Sequence, residues 1–172
     1  MIVIVRHGES AKNVLKTEPF AGDVLPGVAD HLVPLTTTGR KQASVTGLYL
    51  VLTDPVGFQF DLVYHSGYQR AHDTAVIMMN TLRIRDKVEL REDWRLRERE
   101  PGHTSNMTRE EADTHFPYLQ THWDREGPAR GVPPGGESMM QVREAGIRDG
   151  IQPYDNIQLP GHGSRAFISE RT

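Results

Sequence analysis

The feature that most constrains the fold is an alternation of short apolar runs with segments of helical period. Ile2-Val3-Ile4-Val5 is a continuous β-branched run, the pattern of a strand buried on both faces. Thr17 to Pro34 is rich in Gly, Pro and Asp and reads as a loop. The spacing then predicts a helix over Thr38 to Leu52, with Ala43, Gly47 and Leu50 along one side. A strand over Phe60 to Tyr64 follows, then a helix over Gln69 to Leu82 with Ala71, Ala75, Met78 and Leu82 at helical spacing, then a short strand over Val88 to Leu90. Thr108 and Glu111 have capping-box spacing and predict a helix start. Gly127 to Gly136 reads as loop, Glu137 to Arg148 as helix and Asn156 to Pro160 as the last strand. Strands alternating with helices predict an α/β domain with a largely parallel sheet.

In such sheets ligands sit beyond the carboxyl ends of the strands. Arg6-His7, His65-Ser66 and Gly161-His162 each follow a predicted strand, so one pocket could gather them. The 172 residues suit a single domain over 1–172. A hydrophobic share of 37% with 25% charged residues is that of an ordered soluble chain. A net charge of -3 with scattered basic residues argues against nucleic acid or an anionic membrane as partner. No apolar run reaches the length of a signal-peptide core or a membrane span, so a cytoplasmic location is expected. The absence of cysteine excludes disulfides, thiolate metal sites and cysteine nucleophiles.

Arg6-His7-Gly8-Glu9-Ser10 places a cation and an imidazole at a strand end. Arginine suits a phosphate clamp because its planar fork matches phosphate oxygens and stays charged. Neutral imidazole is a competent nucleophile near neutral pH. Gly8 lets backbone approach an anion, and Ser10 could cap a following helix. Taken alone, these residues equally describe a structural arginine and a surface histidine at a turn.

Further segments stand in order behind this one. They are Leu35-Thr-Thr-Thr-Gly39-Arg-Lys-Gln42-Ala43, Tyr64-His-Ser66-Gly-Tyr-Gln-Arg70-Ala71-His-Asp-Thr74-Ala75, Leu96-Arg97-Glu98-Arg99-Glu100-Pro101-Gly102, Pro133-Pro134-Gly135-Gly136-Glu137-Ser138 and His162-Gly163. The set resembles the histidine phosphatase superfamily, also called the phosphoglycerate mutase-like family, over residues 1 to 168. The resemblance implies a three-layer α/β/α fold around a mainly parallel sheet. It implies that His7 is the nucleophile that becomes phosphohistidine and that Arg6 and Arg70 clamp the phosphate. Glu98 would protonate the leaving oxygen and then activate water, His162 would be the second pocket histidine, and Asn13 would hydrogen-bond within the phosphate pocket. It implies no cofactor and no metal, the arginines and histidines supplying the positive charge.

Bland alternatives stand beside these roles. Arg70 alone reads as a surface salt-bridge residue, and Glu98 lies in a charge run where Glu100 is a neighbouring carboxylate. His65, His72, His103, His115 and His122 read as structural or surface residues, and the last two lack a usual zinc spacing. The carboxyl-terminal third departs from the family. Gly146, Gly150 and Pro153 cut its helix short, and only ten residues follow His162. A missing covering element would expose core surface, which leaves a homodimer open. The leading expectation is a phosphatase acting on a small phosphorylated metabolite. A phosphoglycerate mutase and a non-catalytic phosphate-binding module are the alternatives.

Overall fold

The computed structural model of the chain describes residues 2–14, 28–53, 60–100, 102–148 and 166–169. Strand β1 (Ile2–Val5) leads into the His7 segment and a four-residue helix α1 (Ala11–Val14). Helix α2 (Thr37–Thr53), strand β2 (Leu62–His65), helix α3 (Gln69–Thr81) and strand β3 (Glu89–Glu92) follow. Helices α4 (Arg109–His115), α5 (Leu119–Arg130) and α6 (Met139–Arg148) come next, and strand β4 (Ala166–Ser169) is last. The four strands form a sheet of order β1-β4-β2-β3 in which every pairing is parallel. This is the α/β arrangement that the alternating pattern predicts.

The chain divides into two compact units. One holds the sheet with α1, α2 and α3; the other holds α4, α5 and α6. In the first, α2 turns Gly39, Ala43, Gly47 and Leu50 inward, one seam of a helix. A Cβ on Gly47 would stand 2.9 Å from the Thr81 Cβ, so glycine sets how closely α2 approaches α3. Ala43, Leu50, Phe60, Val63, Ala75, Met78 and Met79 form one buried cluster, with Val3, Val5 and Leu90 packed against it. Burial of each large member contributes about 1.5–3 kcal/mol over exposure. In the second unit, the capping box is present: Glu111 N–H donates to Thr108 Oγ1 and Thr108 N–H to the Glu111 carboxylate. Ser138 and Gln141 repeat the device at the start of α6.

Several expectations need correction. β1 is not buried on both faces: among the described strands it lies at the sheet edge, and Ile4 is 66% exposed. The second strand begins at Leu62 and ends on His65, so this histidine closes the strand rather than following it. The third strand runs to Glu92, two residues past the apolar run, because an outer strand tolerates solvated charge. Gly127 to Gly136 is not all loop, since α5 continues to Arg130 across a break at Gly127, where φ is 76°. Pro128 follows that break, a position where its missing N–H costs no hydrogen bond. The predicted strand Asn156 to Pro160 lies outside the described residues, as does most of the loop Thr17 to Pro34.

Candidate active site

The site grows from the carboxyl end of β1. Here the backbone passes unusually close to the start of α2. A Cβ on Gly8 would fall within contact distance of the Gly39 carbonyl oxygen, and one on Gly39 would collide with the Glu9 carbonyl oxygen. The two glycines of the separate motifs therefore face each other. Thr36 locks the contact: its hydroxyl donates to Glu9 Oε1 at 2.6 Å and accepts from Gly39 N–H at 3.0 Å. Ser10 bridges to Leu35, and Ala11 N–H donates to the Pro34 carbonyl at 3.0 Å.

His7 is half-buried in this segment. Its Nδ1 lies 2.7 Å from the Gly8 carbonyl oxygen. A carbonyl only accepts, so Nδ1 carries the proton and Nε2 presents its lone pair. Burial is the main cause holding the imidazole below its ordinary value, the Gly8 hydrogen bond opposes it, and the Arg70 and Arg6 charges lower it further. His7 is thus neutral near pH 7, with two guanidinium charges and the Glu98 carboxylate acting on it.

Helix α3 supplies Arg70. It is 2% exposed, which overturns the reading of a surface ion pair. Its guanidinium lies 4.6 Å from the Tyr68 ring centroid. Nη1 donates to the Asp30 carbonyl oxygen at 2.8 Å, and Nη2 to Asp30 Oδ2 at 3.3 Å and Glu98 Oε2 at 3.0 Å. Thr74, one turn along α3, accepts from Gly8 N–H at 3.1 Å and donates to the Arg70 carbonyl at 2.7 Å. It ties the helix that carries Arg70 to the segment that carries His7. Thr74→Val keeps the shape but strands the buried Gly8 N–H. We expect it to lower the unfolding free energy by about 1–3 kcal/mol in a denaturant titration.

Of the six residues the sequence singles out, His7, Arg6, Arg70 and Glu98 come together. Arg6 is exposed, and no described residue accepts from it. Asn13 lies on α1, and its Oδ1 accepts from the Ser10 N–H and hydroxyl, both at 2.8 Å. Ser10 stands immediately before α1, as expected of a cap, and its hydroxyl donates to the Asn13 side chain. His162 lies outside the described residues, and in chain order it precedes β4. Glu98, not Glu100, meets Arg70: Glu100 Oε1 accepts from Gly102 N–H at 3.3 Å. His65 is structural, its buried Nδ1 accepting from Gly67 N–H at 3.1 Å and its ring packing on His72 at 5.0 Å. Sequence reasoning missed Asp30 and Lys12, which are joined by an ion pair of 3.0 Å.

Residues 2–147 match the histidine phosphatase superfamily (branch 1). The chain belongs to this superfamily. Relatives of the chain include 2,3-bisphosphoglycerate-dependent phosphoglycerate mutases. That of Parvibaculum lavamentivorans is 32% identical over 84% of this chain and 62% of its own length. That of Brucella anthropi is 32% identical over 97% of this chain and 79% of its own length. The chain thus spans less than two thirds of the first relative. Solved structures share the fold of this histidine phosphatase member. The α-ribazole phosphatase of Shigella flexneri superposes with a TM-score of 0.69 at 22% identity, covering 98% of this chain and 72% of that one. A mycobacterial glucosyl-3-phosphoglycerate phosphatase gives 0.65 at 24% identity, covering 98% and 74%. The fold is accordingly phosphoglycerate mutase-like, and the superfamily's members transfer phosphoryl groups as mutases or phosphatases. Among the described residues no helix is long and apolar enough to cross a membrane.

Proposed function

We propose that this chain is a metal-independent phosphatase that hydrolyses small phosphomonoesters through a phosphohistidine on His7. The observation that carries the reading is the fixed tautomer of His7, whose Nε2 lone pair is free beside Arg6, Arg70 and Glu98. Nε2 attacks phosphorus, and the ester oxygen leaves with a proton from the Glu98 carboxyl. Glu98 then takes a proton from water, whose oxygen attacks the phosphoryl group, releasing inorganic phosphate and restoring neutral His7. Arg6 and Arg70 neutralise the equatorial oxygens, and the Asn13 amide donates to one of them. A phosphate on Arg70 would displace Glu98 and place anionic oxygens beside it. The setting we propose is cytoplasmic.

The relatives favour a second reading, a bisphosphoglycerate-primed mutase, in which phosphohistidine returns its phosphate to a sugar acid. The two separate by assay. A phosphatase releases phosphate from p-nitrophenyl phosphate with or without chelator. A mutase interconverts the phosphoglycerates and stalls without bisphosphate.

The nucleophile also fixes the pH profile. Its pKa lies below 6.5, and it must be neutral to attack. Activity on this limb therefore falls only as pH drops through that lowered value. The acid limb of kcat/KM should lie below pH 6.5; a limb above it would contradict the assignment.

A further inference from the structure

We propose that Asp30, held by Lys12, is a positioning residue that aims the Arg70 guanidinium at the substrate phosphate. The inference rests on the phosphate-clamp role proposed above. Arg70 has five N–H groups. Three are engaged here: one on the Asp30 carbonyl, one on Asp30 Oδ2 and one on Glu98 Oε2. Both hydrogens of Nη2 and one of Nη1 are thereby used, and the two left do not form a fork. Bidentate grip of a phosphate requires one of these contacts to open.

The geometry indicates which one opens. Glu98 is the more exposed partner and holds the guanidinium through one oxygen. Asp30 holds it at two points, on two different nitrogens, which fixes the guanidinium plane against rotation. Its remaining oxygen, Oδ1, is anchored by Lys12 Nζ at 3.0 Å. The backbone around Asp30 is itself pinned. Val33 is buried, Val33 N–H donates back to the Asp30 carbonyl at 3.2 Å, and Pro34 is tied to Ala11. Burial alone would raise the Asp30 carboxyl, but the Arg70 and Lys12 charges and hydrogen bonds outweigh it and hold it below the ordinary range. A solvated surface pair would leave the arginine mobile and exposed; this one holds a buried cation from a rigid turn.

The opposite role is also testable. An aspartate that competed with phosphate for Arg70 would weaken binding, and its removal would tighten it. The experiment uses the full chain and measures inorganic phosphate affinity by calorimetry beside kcat/KM for an aryl phosphate. Asp30→Ala should weaken phosphate binding and lower kcat/KM by about 10- to 100-fold. Asp30→Asn, which keeps one oxygen for Nη2, should recover most of that loss. Lys12→Met should move both quantities in the same direction as Asp30→Ala but less, and it serves if Asp30→Ala does not fold. In an Arg70→Lys background Asp30→Ala should add nothing, because there is no fork left to aim. Unchanged or tighter phosphate binding in Asp30→Ala, or an equal loss in the Arg70→Lys background, would overturn the proposal. A wild-type chain that binds phosphate without turnover would instead overturn the phosphatase reading and leave the calorimetric test of Asp30 standing.

Discussion

His7→Ala is expected to lower phosphate release from an aryl phosphate by about 10⁴-fold or more. No described group stands ready to replace it. His65 lies at the end of β2 with Nδ1 committed to Gly67, and Ser10 directs its hydroxyl to Asn13. Water attacking directly would keep the arginine clamp but lose the covalent step, so a residual rate above solution is expected. The fold should persist. His7 makes one local hydrogen bond, to the carbonyl of its neighbour, and Gly8 stays tied to Thr74. A thermal melt within a few degrees of wild type, with turnover gone, separates the chemical role from a structural one. Full turnover in this variant would remove His7 from the mechanism.

Arg70→Ala should show the second large effect, and a different signature. Loss of a guanidinium from the transferring phosphoryl group is expected to cost about 10³-fold in kcat/KM. Stability should fall as well, by about 2–4 kcal/mol, because the side chain is 2% exposed and its removal leaves a cavity and takes one of two donors from the Asp30 carbonyl. Asp30 keeps Lys12, and both carboxylates are partly solvated, which keeps the loss below that of a sealed ion pair. Arg70→Lys should recover stability better than activity, since an ammonium can meet one acceptor but not offer a fork. Steady-state kinetics beside a denaturant titration of both variants checks the split.

How much of this was legible in the sequence depends on the range of the interaction. α3 starts at Gln69 and ends at Thr81, within a residue of the predicted end, because Ala71, Ala75 and Met78 mark one face of a helix. The Thr108 box was equally readable because a cap is local. Strand ends were not. A short apolar run has no period, so Phe60 could be assigned to β2 although the strand starts at Leu62, and the charged β3 carries no hydropathy signal at its far end. Gly127-Pro128 reads as a breaker, yet proline after a kink opens a new helical turn. At the candidate site, Arg6, His7, Arg70 and Glu98 could be singled out because each stands in a recognisable local motif. Asp30 and Lys12 were not, since their role comes from a contact made across 40 residues to Arg70. Burial of Arg70 was hidden for the same reason.

A covalent phosphoryl group on Nε2 of His7 can be trapped. Enzyme mixed with excess aryl phosphate is quenched in alkali, where phosphohistidine survives, digested and sequenced by mass spectrometry. A phosphohistidine intermediate gives one phosphoryl group on the peptide that contains His7, formed in a burst before steady-state release and absent from His7→Ala. Phosphate found on Ser10 or His65, or steady turnover with no trapped label, would contradict it.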